Sequence, residues 1–337
     1  MSTGGEDWRP SAAREQLVAR AALLERAREF FAARAVLEVD TPLVVNAPVS
    51  DVHIHSASVR LAGDAGAAAP GRPAHSLFLH TSPEYAMKRL LAAGSGDIYQ
   101  ICHVVRDNER GRLHNPEFTL IEWYRLGFSL GQLMDEVEAL VRALLGEAAP
   151  LGSERVSYRE VFLRELGLDP LTASEGTLAQ AAQPLGYQDP DRVGGSGLGR
   201  DGWLELLMGS LIGPRLGRQR LTFVHSYPAS QAALARLDPA DPRVAQRFEL
   251  YCEGIELANG FHELSGAAEQ RTRFEEDNTR RRELALAVYP LDERLLAALA
   301  AGLPECAGVA LGFDRTLMLA TGAEHIDQVL PFPTPRA

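Results

Sequence analysis

The chain has 337 residues, of which 46% are hydrophobic and 23% are charged, and its formal net charge at pH 7 is −11. A chain of this length forms one large domain or two of ordinary size. It contains no run of 18 apolar residues and begins with a polar stretch, which argues against a membrane span and a secretory signal. The acidity argues against a dedicated tRNA or DNA binder, although a local basic patch stays compatible with it.

The three cysteines, Cys102, Cys252 and Cys306, are far apart and lie in otherwise apolar segments. Their spacing suggests neither a disulfide framework nor a paired-cysteine metal site. We therefore expect a protein of the reducing cytoplasm.

The first elements in chain order are a helix and a short strand. Apolar residues at helical spacing predict an amphipathic helix over residues 12–35. Its apolar stripe comprises Leu17, Ala21, Leu24 and Phe31. Residues 36–41 predict a strand that ends before Pro42, and the small, Gly- and Pro-rich residues 61–76 predict a surface loop.

A charged loop between two strands comes next. Residues 98–105 are aromatic and β-branched, which predicts a strand. In the strand after the loop, the period of two places Phe118, Leu120, Glu122 and Tyr124 on one face and Thr119, Ile121 and Trp123 on the other. A glutamate in so apolar a strand is costly unless a cation or a donor meets it. The loop has enough cations and donors to hold a polyphosphate, namely Arg106, Arg110, Arg112, His114 and Asn115. A hairpin with a solvated loop is the alternative interpretation.

The middle of the chain gives weaker signals. A second helix is clear over residues 129–145, whereas residues 146–220 predict short helices and loops that form an insertion. The glycines of 194–199 resemble a nucleotide-binding fingerprint, but Arg200 occupies the place of its third glycine, and we interpret the run as a flexible connector. The basic triplet at 280–282 follows three acidic residues, which favours an exposed helix laced with ion pairs.

Two carboxylates meet in a predicted hairpin of the last third. A two-residue turn at 253–254 separates two strands. This turn pairs Tyr251 with Glu256 and places Glu249 diagonally opposite Glu256, on the same face. Two such carboxylates repel each other unless a cation sits between them. Oxygen ligands without a nearby cysteine favour Mg²⁺ that carries nucleotide phosphates over zinc.

The last predicted strand and helix, residues 308–321, contain two glycines and an arginine at informative positions. Gly308 and Gly312 permit a close approach of backbone and ligand. Arg315 lies at the junction of strand and helix, where its guanidinium can meet a phosphate or a flat base.

Three segments in this order, 13–42, 98–125 and 308–321, resemble motifs 1, 2 and 3 of the class II aminoacyl-tRNA synthetases. The sequence is similar to the lysyl-tRNA synthetase branch of this class in HNPEFTLIEWY at 114–124, GIELANGFHEL at 254–264 and GVALGFDR at 308–315. Within that branch the chain resembles a truncated group of paralogues, the elongation factor P–lysine ligases. The likeness runs from about Trp8 to the C-terminus and includes TSPEYAMKRLL at 81–91 and TFVHSYPASQAAL at 222–234.

This resemblance implies an α+β fold, a class II aminoacyl-tRNA synthetase-like catalytic domain in which helices flank an antiparallel β-sheet. It implies a single catalytic domain over residues 1–337, with 146–220 as a helical and loop insertion, and a homodimer assembled through motif 1. Because the motif 1 helix begins near residue 13, we expect no anticodon-binding domain.

The resemblance also implies an ATP-dependent ligase. ATP would activate (R)-β-lysine, or lysine, as an adenylate, and the aminoacyl group would pass to a lysine ε-amine of elongation factor P, in the cytoplasm and with neither tRNA nor membrane involved. Two alternatives stay open: a stand-alone lysine-activating enzyme that charges tRNA or another carrier, and a non-catalytic synthetase-like regulator that binds ligand and partner.

Matching positions imply the roles of individual residues. Arg106 would neutralise the α-phosphate, Phe118 and Arg315 would sandwich the adenine, and Glu249 and Glu256 would hold Mg²⁺. The other predicted ATP contacts are Asp107, Asn108, His114, Asn115, Leu257 and Gly312. The carboxylates and the phenol that would meet the ammonium groups of a lysine-like substrate are Glu84, Glu122, Glu263 and Tyr124, and the other predicted substrate contacts are Ser82, Pro83, Asn259 and Ala310.

Two positions depart from the patterns of related enzymes. Asn108 stands where motif 2 usually has a glutamate that accepts from the adenine amino group. The amide can still accept without charge, and we favour this over a loop shifted by one that lets Glu109 substitute. Ala310 stands where lysyl-tRNA synthetases usually have glycine, and we hypothesise that its methyl group disfavours α-lysine relative to the β-isomer.

Overall fold

The computed structural model describes residues 8–61, 77–186 and 198–337. The predicted surface loop after Leu61 and residues 194–197 of the glycine run lie outside these ranges. The strands are β1 (Leu37–Glu38), β2 (Val44–Val45), β3 (Ser58–Val59), β4 (Leu77–Leu79), β5 (Ile98–Val105), β6 (Glu117–Leu126), β7 (Gly152–Ser157), β8 (Arg220–Pro228), β9 (Val244–Cys252), β10 (Ile255–His262) and β11 (Cys306–Gly312). The α-helices are α1 (Arg14–Ala32), α2 (Glu84–Ala92), α3 (Leu130–Leu145), α4 (Tyr158–Leu166), α5 (Glu175–Ala181), α6 (Gly199–Leu207), α7 (Ala267–Glu283), α8 (Glu293–Gly302) and α9 (Phe313–Thr321). Within these described ranges, no helix combines the length and the apolar character that a bilayer crossing requires.

One sheet of eight strands runs through the centre of the fold, in the order β1-β5-β6-β11-β10-β9-β8-β7. Neighbouring strands are antiparallel from β5 to β8. The two edge pairs, β1 with β5 and β7 with β8, are parallel. The α+β fold and the antiparallel sheet with flanking helices are therefore confirmed, with the refinement that parallel edges make the sheet mixed. A second, small sheet has the order β2-β4-β3.

The hairpin of β5 and β6 has the two predicted strands and the predicted faces. Ile121 and Trp123 are buried in the main core together with residues of α1, α3 and α9. Glu122 and Tyr124 point the other way and line a cavity. The alternation along β6 thus separates a packing face from a site face.

Helix α1 packs on the main core with a different stripe from the predicted one. Its buried residues are Leu23, Ala27, Phe30 and Phe31. Leu17 is 36% exposed, and Ala21 is exposed as well. The helix is confirmed, but the predicted stripe is wrong at its first two positions, because apolar spacing alone does not tell which row of a helix the sheet covers.

Helix α3 begins at a capping box. The Ser129 side chain accepts from the backbone N–H of Gln132, and the Gln132 side chain accepts from the backbone N–H of Ser129. Such a box satisfies two N–H groups that the first turn leaves free. It fixes the register of the fully buried Leu133, Val137 and Leu140 against the sheet.

The segment between α3 and β8 forms α4, α5 and α6 and supplies β7 to the sheet edge. Its apolar cluster is built around residues such as Phe162 and Trp203, and it closes over Val224, Tyr227 and Tyr251 of β8 and β9. The segment therefore has an apolar cluster of its own that is completed by the sheet.

The basic triplet 280–282 lies in the last turn of α7, and its middle residue, Arg281, is buried. Arg281 is 0% exposed, donates from Nη1 to the carbonyl of Asp51 at 2.7 Å, and lies 4.1 Å from the ring of Tyr289. The interpretation as an exposed triplet is wrong at this residue, because the carbonyls that receive it come from a loop 230 residues away. Arg280 does form an ion pair of the expected kind, with Glu283 at 3.0 Å.

Candidate active site

A cavity of about 370 Å³ lies on the site face of the sheet, and most of the predicted site residues line it. One group comprises Arg106, His114, Asn115, Phe118, Glu256, Leu257, Gly312 and Arg315, which we call the nucleotide end. The other comprises Ser82, Glu84, Glu122, Tyr124, Asn259, Glu263 and Ala310, which we call the amino-acid end. Residues that are far apart in the chain are thus brought together in the two sets that the sequence suggested.

The amino-acid end contains a buried lysine that the sequence patterns do not predict. Lys88, on α2, is 1% exposed, and its ammonium lies 2.6 Å from Glu84 Oε1 and 2.5 Å from Glu263 Oε2. Burial alone lowers the pKa of Lys88, but the two carboxylates outweigh it and raise that pKa above its ordinary value. The ammonium stays charged, so the protein itself supplies one cation to this pocket.

Two carboxylates of this end have raised pKa values. Glu122 accepts from the hydroxyls of Ser82 and Tyr124, each at 2.8 Å, while burial and the nearby Glu84 raise its pKa to about 7. Burial likewise raises the pKa of Glu263 to about 8, in spite of Lys88. Oε2 of Glu263 faces the Lys88 ammonium, whereas Oε1 is buried and has no hydrogen-bond partner among the described residues. Both carboxylates therefore titrate near neutral pH, and Glu263 keeps acceptor capacity for a further cation.

Strand β11 forms the floor of the amino-acid end. Gly308 pairs with Tyr124 of β6, and Ala310 pairs with Glu122. A Cβ atom at position 308 would lie 2.3 Å from the Tyr124 ring and 2.6 Å from Glu263 Oε1. Only glycine fits there, since the ring and the carboxylate occupy the space of any side chain.

At the nucleotide end, neutral groups receive the hydrogen bonds of Arg315, and its Nη1 also lies 3.8 Å from Glu256 Oε2. It donates to the carbonyls of Glu256 at 2.9 Å and Leu113 at 3.3 Å, and it lies 2.6 Å from His114 Nε2. Burial and the two guanidinium groups of Arg315 and Arg106 lower the pKa of His114 to about 4. The imidazole is therefore neutral at pH 7 and can accept from Arg315.

Arg106 lies where the two ends meet. Its guanidinium carbon is 5.2 Å from the centroid of the Phe118 ring, and its Nε donates to the carbonyl of Thr81 at 3.4 Å. Its Nη1 is 3.9 Å from Glu109, and the side chain remains 25% exposed. A guanidinium with contacts this loose can reorient to bind an anion bidentately.

Asn115 lines the cavity, but its amide already has partners. Its oxygen accepts from Arg110 at 3.1 Å and from the backbone N–H of Thr334 at 3.1 Å, and its nitrogen donates to the carbonyl of Glu117 at 2.7 Å. These bonds tie the loop between β5 and β6 to the C-terminal segment. Asn115 therefore shapes the nucleotide end.

Four predicted residues do not line this cavity, namely Asp107, Asn108, Pro83 and Glu249. Asn108 is exposed, with φ at 64° and its N–H bonded to Asp107 Oδ1 at 2.9 Å. This left-handed turn directs Glu109 to the cavity wall instead, which reverses our preference between the two residues. Pro83 faces a separate cavity on the other side of its loop.

Glu249 and Glu256 each have an arginine beside them, Arg247 at 2.6 Å from Glu249 and Arg315 at 3.8 Å from Glu256. Glu256 pairs with Tyr251 as predicted. Glu249 receives Arg247 Nη2 at 2.6 Å and the Tyr251 hydroxyl at 2.7 Å, so both its oxygens are engaged, and it does not line the cavity. Within the ranges that the structure describes, no three His, Cys, Asp or Glu residues form a metal-binding group. A donor set for Mg²⁺ therefore fits here only as Glu256 together with phosphate oxygens, as is common for nucleotide-bound Mg²⁺.

Lys88 and Arg247 each lie at a spacing from a glutamate that indicates an ion pair, but the same spacing also fits an exposed pair. Lys88 follows Glu84 by four residues on a helix, the spacing of an ordinary surface ion pair. Arg247 shares a strand face with Glu249 by the period of two. Neither pattern tells whether the pair is exposed or buried, and burial is what makes both pairs part of the site.

Comparison with known proteins gives the chain relatives of nearly its own length. It matches the family described as tRNA synthetases class II (D, K and N) over residues 6–336. It is 52% identical over 332 residues to the elongation factor P–(R)-β-lysine ligase of Vibrio cholerae serotype O1, a match that covers 98% of this chain and 99% of that protein. The proteins of the same name from Salmonella typhi and Klebsiella pneumoniae are each 47% identical over 334 residues, which is 98% of this chain and 98% of each relative.

Proposed function

Because the chain belongs to the class II tRNA synthetases and, within them, to the elongation factor P–(R)-β-lysine ligases, we propose that it activates (R)-β-lysine, or lysine, with ATP and joins it to a lysine ε-amine of elongation factor P. The charge of the amino-acid end supports this most. Three carboxylates, Glu84, Glu122 and Glu263, face one internal ammonium, Lys88, which leaves an excess of two negative charges when all are ionised. A substrate with two ammonium groups balances that excess.

In the first step, a carboxylate oxygen of the amino acid attacks the α-phosphorus of ATP, and the bond to pyrophosphate breaks. We propose that Arg106, where the two ends meet, binds the α-phosphate and the negative charge that grows on it. Phe118 stacks on one face of the adenine, and Arg315 covers the other by a cation–π contact. No covalent enzyme intermediate is involved, so positioning and charge stabilisation produce the rate.

We assign the remaining nucleotide contacts to the wall of the same end. Glu109, in place of Asn108, accepts from the adenine amino group. Neutral His114 fixes Arg315, and the backbone at Leu257 and Gly312 lines the nucleotide.

At the amino-acid end, we propose that Glu122 and Tyr124 bind one ammonium and that Glu263, with Glu84 nearby, binds the other. The Lys88 ammonium lies between Glu84 and Glu263 and offsets the repulsion between these two carboxylates. Further contacts come from Ser82, which donates to Glu122, and from Asn259, whose oxygen accepts from Arg247 at 3.2 Å.

The methyl group of Ala310 is our candidate for isomer selection, since Ala310 pairs with Glu122 on the cavity floor. A methyl group in a substrate pocket changes discrimination by roughly 10-fold or more. We expect Ala310→Gly to raise α-lysine activation relative to β-lysine activation by about that factor. An unchanged ratio in amino-acid-dependent pyrophosphate exchange would remove this role.

We propose that ATP enters with Mg²⁺ and that Glu256 is its protein ligand. The ion would neutralise phosphate charge, which is the chemistry that it supplies in such sites. Glu249 takes part only if its bonds to Arg247 and Tyr251 open.

Several exposed apolar side chains support a homodimer. On α1 and β1, Val18 is 54% exposed and Leu37 is 55% exposed, and Trp8 and Leu43 are 73% and 42% exposed nearby in the chain. β1 is also an edge strand of the main sheet. Covering such a surface with a second copy would bury it. Light scattering should give twice the chain mass, and Val18→Glu should reduce it to the monomer mass.

We place the reaction in the cytoplasm, consistent with the unpaired thiols of Cys102, Cys252 and Cys306.

The activity has two separable halves, and each has its own assay. Exchange of labelled pyrophosphate into ATP should depend on a lysine isomer. Labelled (R)-β-lysine should then appear on elongation factor P and not on tRNA. Labelling of tRNA would favour a stand-alone aminoacylating enzyme, and absence of exchange would favour a non-catalytic regulator.

A further inference from the structure

The cavity has a third wall that the assignments above leave unused. It is formed by the loop 49–54, the turn 229–234 and one face of α7. The ionisable residues of this wall are Asp51, Arg273, Glu276 and Asp277. We call it the third wall.

The third wall is negatively charged in effect, because its one described cation is engaged elsewhere. Arg273 donates to the carbonyls of Ala233 and Ala235, each at 2.7 Å, and lies 2.5 Å from Glu269. Fully buried Arg281 acts on Asp277 from the next turn of α7, whereas Asp51 and Glu276 form no ion pair with a described residue. The wall therefore keeps an excess of negative charge, which favours a ligand with positive charge.

The elements of the third wall are held in place by buried bonds. Ser50 donates to Asp277 at 2.6 Å, and fully buried Arg281 donates to the carbonyl of Asp51 at 2.7 Å. The turn is held by Arg273, and Ala233 within it has φ at 49°, a backbone conformation that a non-glycine residue adopts only when its surroundings impose it. The wall is thus a fixed surface and not a loose loop edge.

A buried amide on the third wall points to a ligand independently of its charge. Gln270, on α7, is 1% exposed and lines the cavity, and neither its amide nitrogen nor its amide oxygen has a hydrogen-bond partner among the described residues. A buried donor and acceptor without partners are unfavourable in a folded protein. A peptide group satisfies both, because it has a donor and an acceptor, and an ammonium group satisfies the amide oxygen.

We propose that the third wall is the subsite for the acceptor, a lysine side chain of a protein, and this rests on the proposed function. The aliphatic stem of that lysine crosses Leu234 and Phe274, two buried apolar residues of the wall. Asp277 and Asp51 attract its ammonium, and the amide oxygen of Gln270 accepts a hydrogen bond from it. The same carboxylates repel the phosphates of a tRNA 3′ end.

The test compares transfer with activation in the full-length protein. Asp277→Asn, Asp51→Asn and Gln270→Met are each assayed for lysine-dependent pyrophosphate exchange and for kcat/KM of transfer to elongation factor P. We expect the ratio of transfer to exchange to fall by about tenfold or more in each. Glu275→Gln, on the same helix but exposed and off the cavity wall, is the matched control and should keep the wild-type ratio.

Stability separates a ligand-binding role of Gln270 from a structural one. If the Gln270 amide is unpaired because it binds a ligand, the free energy of unfolding of Gln270→Met is at least that of the wild type. The reason is that the substitution removes two buried polar atoms that have no partner. A less stable Gln270→Met would assign Gln270 to the fold and overturn its part in the subsite.

The proposal is overturned if the ratio stays unchanged in Asp277→Asn and Asp51→Asn, or if transfer and exchange fall together. Absence of pyrophosphate exchange in the wild type would instead contradict the proposed function. Failure of the subsite proposal and failure of the proposed function are therefore distinguishable.

Discussion

Lys88, Glu84 and Glu263 at the amino-acid end are each less than 10% exposed and compensate one another. At the nucleotide end, the side chains of Arg106 and Arg315 keep 25% and 20% exposure, and backbone carbonyls receive their hydrogen bonds. The amino-acid end is therefore an ionic part of the folded core, whereas the nucleotide end is a set of cations placed at the rim of the fold.

This difference has a consequence for mutagenesis. Removing one member of a buried ion pair leaves an uncompensated charge in a medium of low polarity. Removing a partly exposed cation held by carbonyls leaves groups that water can solvate. Changes at the amino-acid end should thus affect folding and binding together, and changes at the nucleotide end should affect catalysis alone.

The largest effect is expected for Lys88→Met. It leaves Glu84 and Glu263 buried without their cation, so the free energy of unfolding at pH 7.5 should fall by about 3–5 kcal/mol. Urea unfolding measures this loss. The double variant Lys88→Met, Glu263→Gln should recover part of it, and a loss below about 1 kcal/mol for the single variant would contradict a core role for the pair.

Arg106→Met should show the opposite profile. Pyrophosphate exchange should fall by about 10²–10³, the range for removal of one transition-state donor, while the free energy of unfolding changes by less than about 0.5 kcal/mol. Arg112→Met is the matched control, since Arg112 belongs to the same loop but does not line the cavity. Equal losses of exchange in both variants would deny Arg106 a specific role.

The pH dependence should differ between the two ends. Because the pKa values of Glu122 and Glu263 are raised to about 7 and about 8, both groups lose protons as the pH rises from 6 to 8. Ionised carboxylates bind ammonium more strongly, so the KM for lysine should fall by about tenfold over this interval. The pKa of His114, about 4, predicts no parallel change in the KM for ATP. A KM for lysine that is flat between pH 6 and 8 would contradict these assignments.

The raised pKa values of Glu122 and Glu263 also determine whether stability rises or falls with pH. A carboxyl group whose pKa is higher in the folded state than in the unfolded state binds more protons when folded. Its stabilising contribution is present below its ordinary pKa and is lost as the pH rises through about 7 to 8. The ligand-free protein should therefore become less stable from pH 5 to pH 8, in a urea titration at each pH.

The smallest effect concerns the loop between β5 and β6. Glu109→Gln should raise the KM for ATP by roughly fivefold, the equivalent of about 1 kcal/mol for a weakened hydrogen bond. Asn108→Ala, one residue away and exposed, should change it by less than about twofold. The reverse order would restore our original preference for Asn108.

Much of the fold could be predicted because it depends on local periodicity. The alternation along β6 correctly separated Glu122 and Tyr124 from Ile121 and Trp123. The turn at 253–254 correctly paired Tyr251 with Glu256. Such features need only the geometry of one strand or one turn.

The rest depended on contacts between distant segments. The burial of Lys88 requires Glu263, 175 residues later, and the burial of Arg281 requires the loop at Asp51. The sequence predicts that Glu249 and Glu256 need positive charge nearby, but only the fold shows that Glu249 pairs with Arg247 and that Glu256 lies 3.8 Å from Arg315. Short-range patterns state which charges need a partner, and tertiary structure decides which partner they receive.

The most direct test of the proposed ligase activity is the intact mass of elongation factor P after incubation with the pure protein, ATP, Mg²⁺ and one lysine isomer at a time. We predict an increase by one lysyl residue, largest with (R)-β-lysine, and its loss when ATP is omitted. An unchanged mass with every isomer, under conditions where pyrophosphate exchange proceeds, would contradict the assignment of elongation factor P as the acceptor.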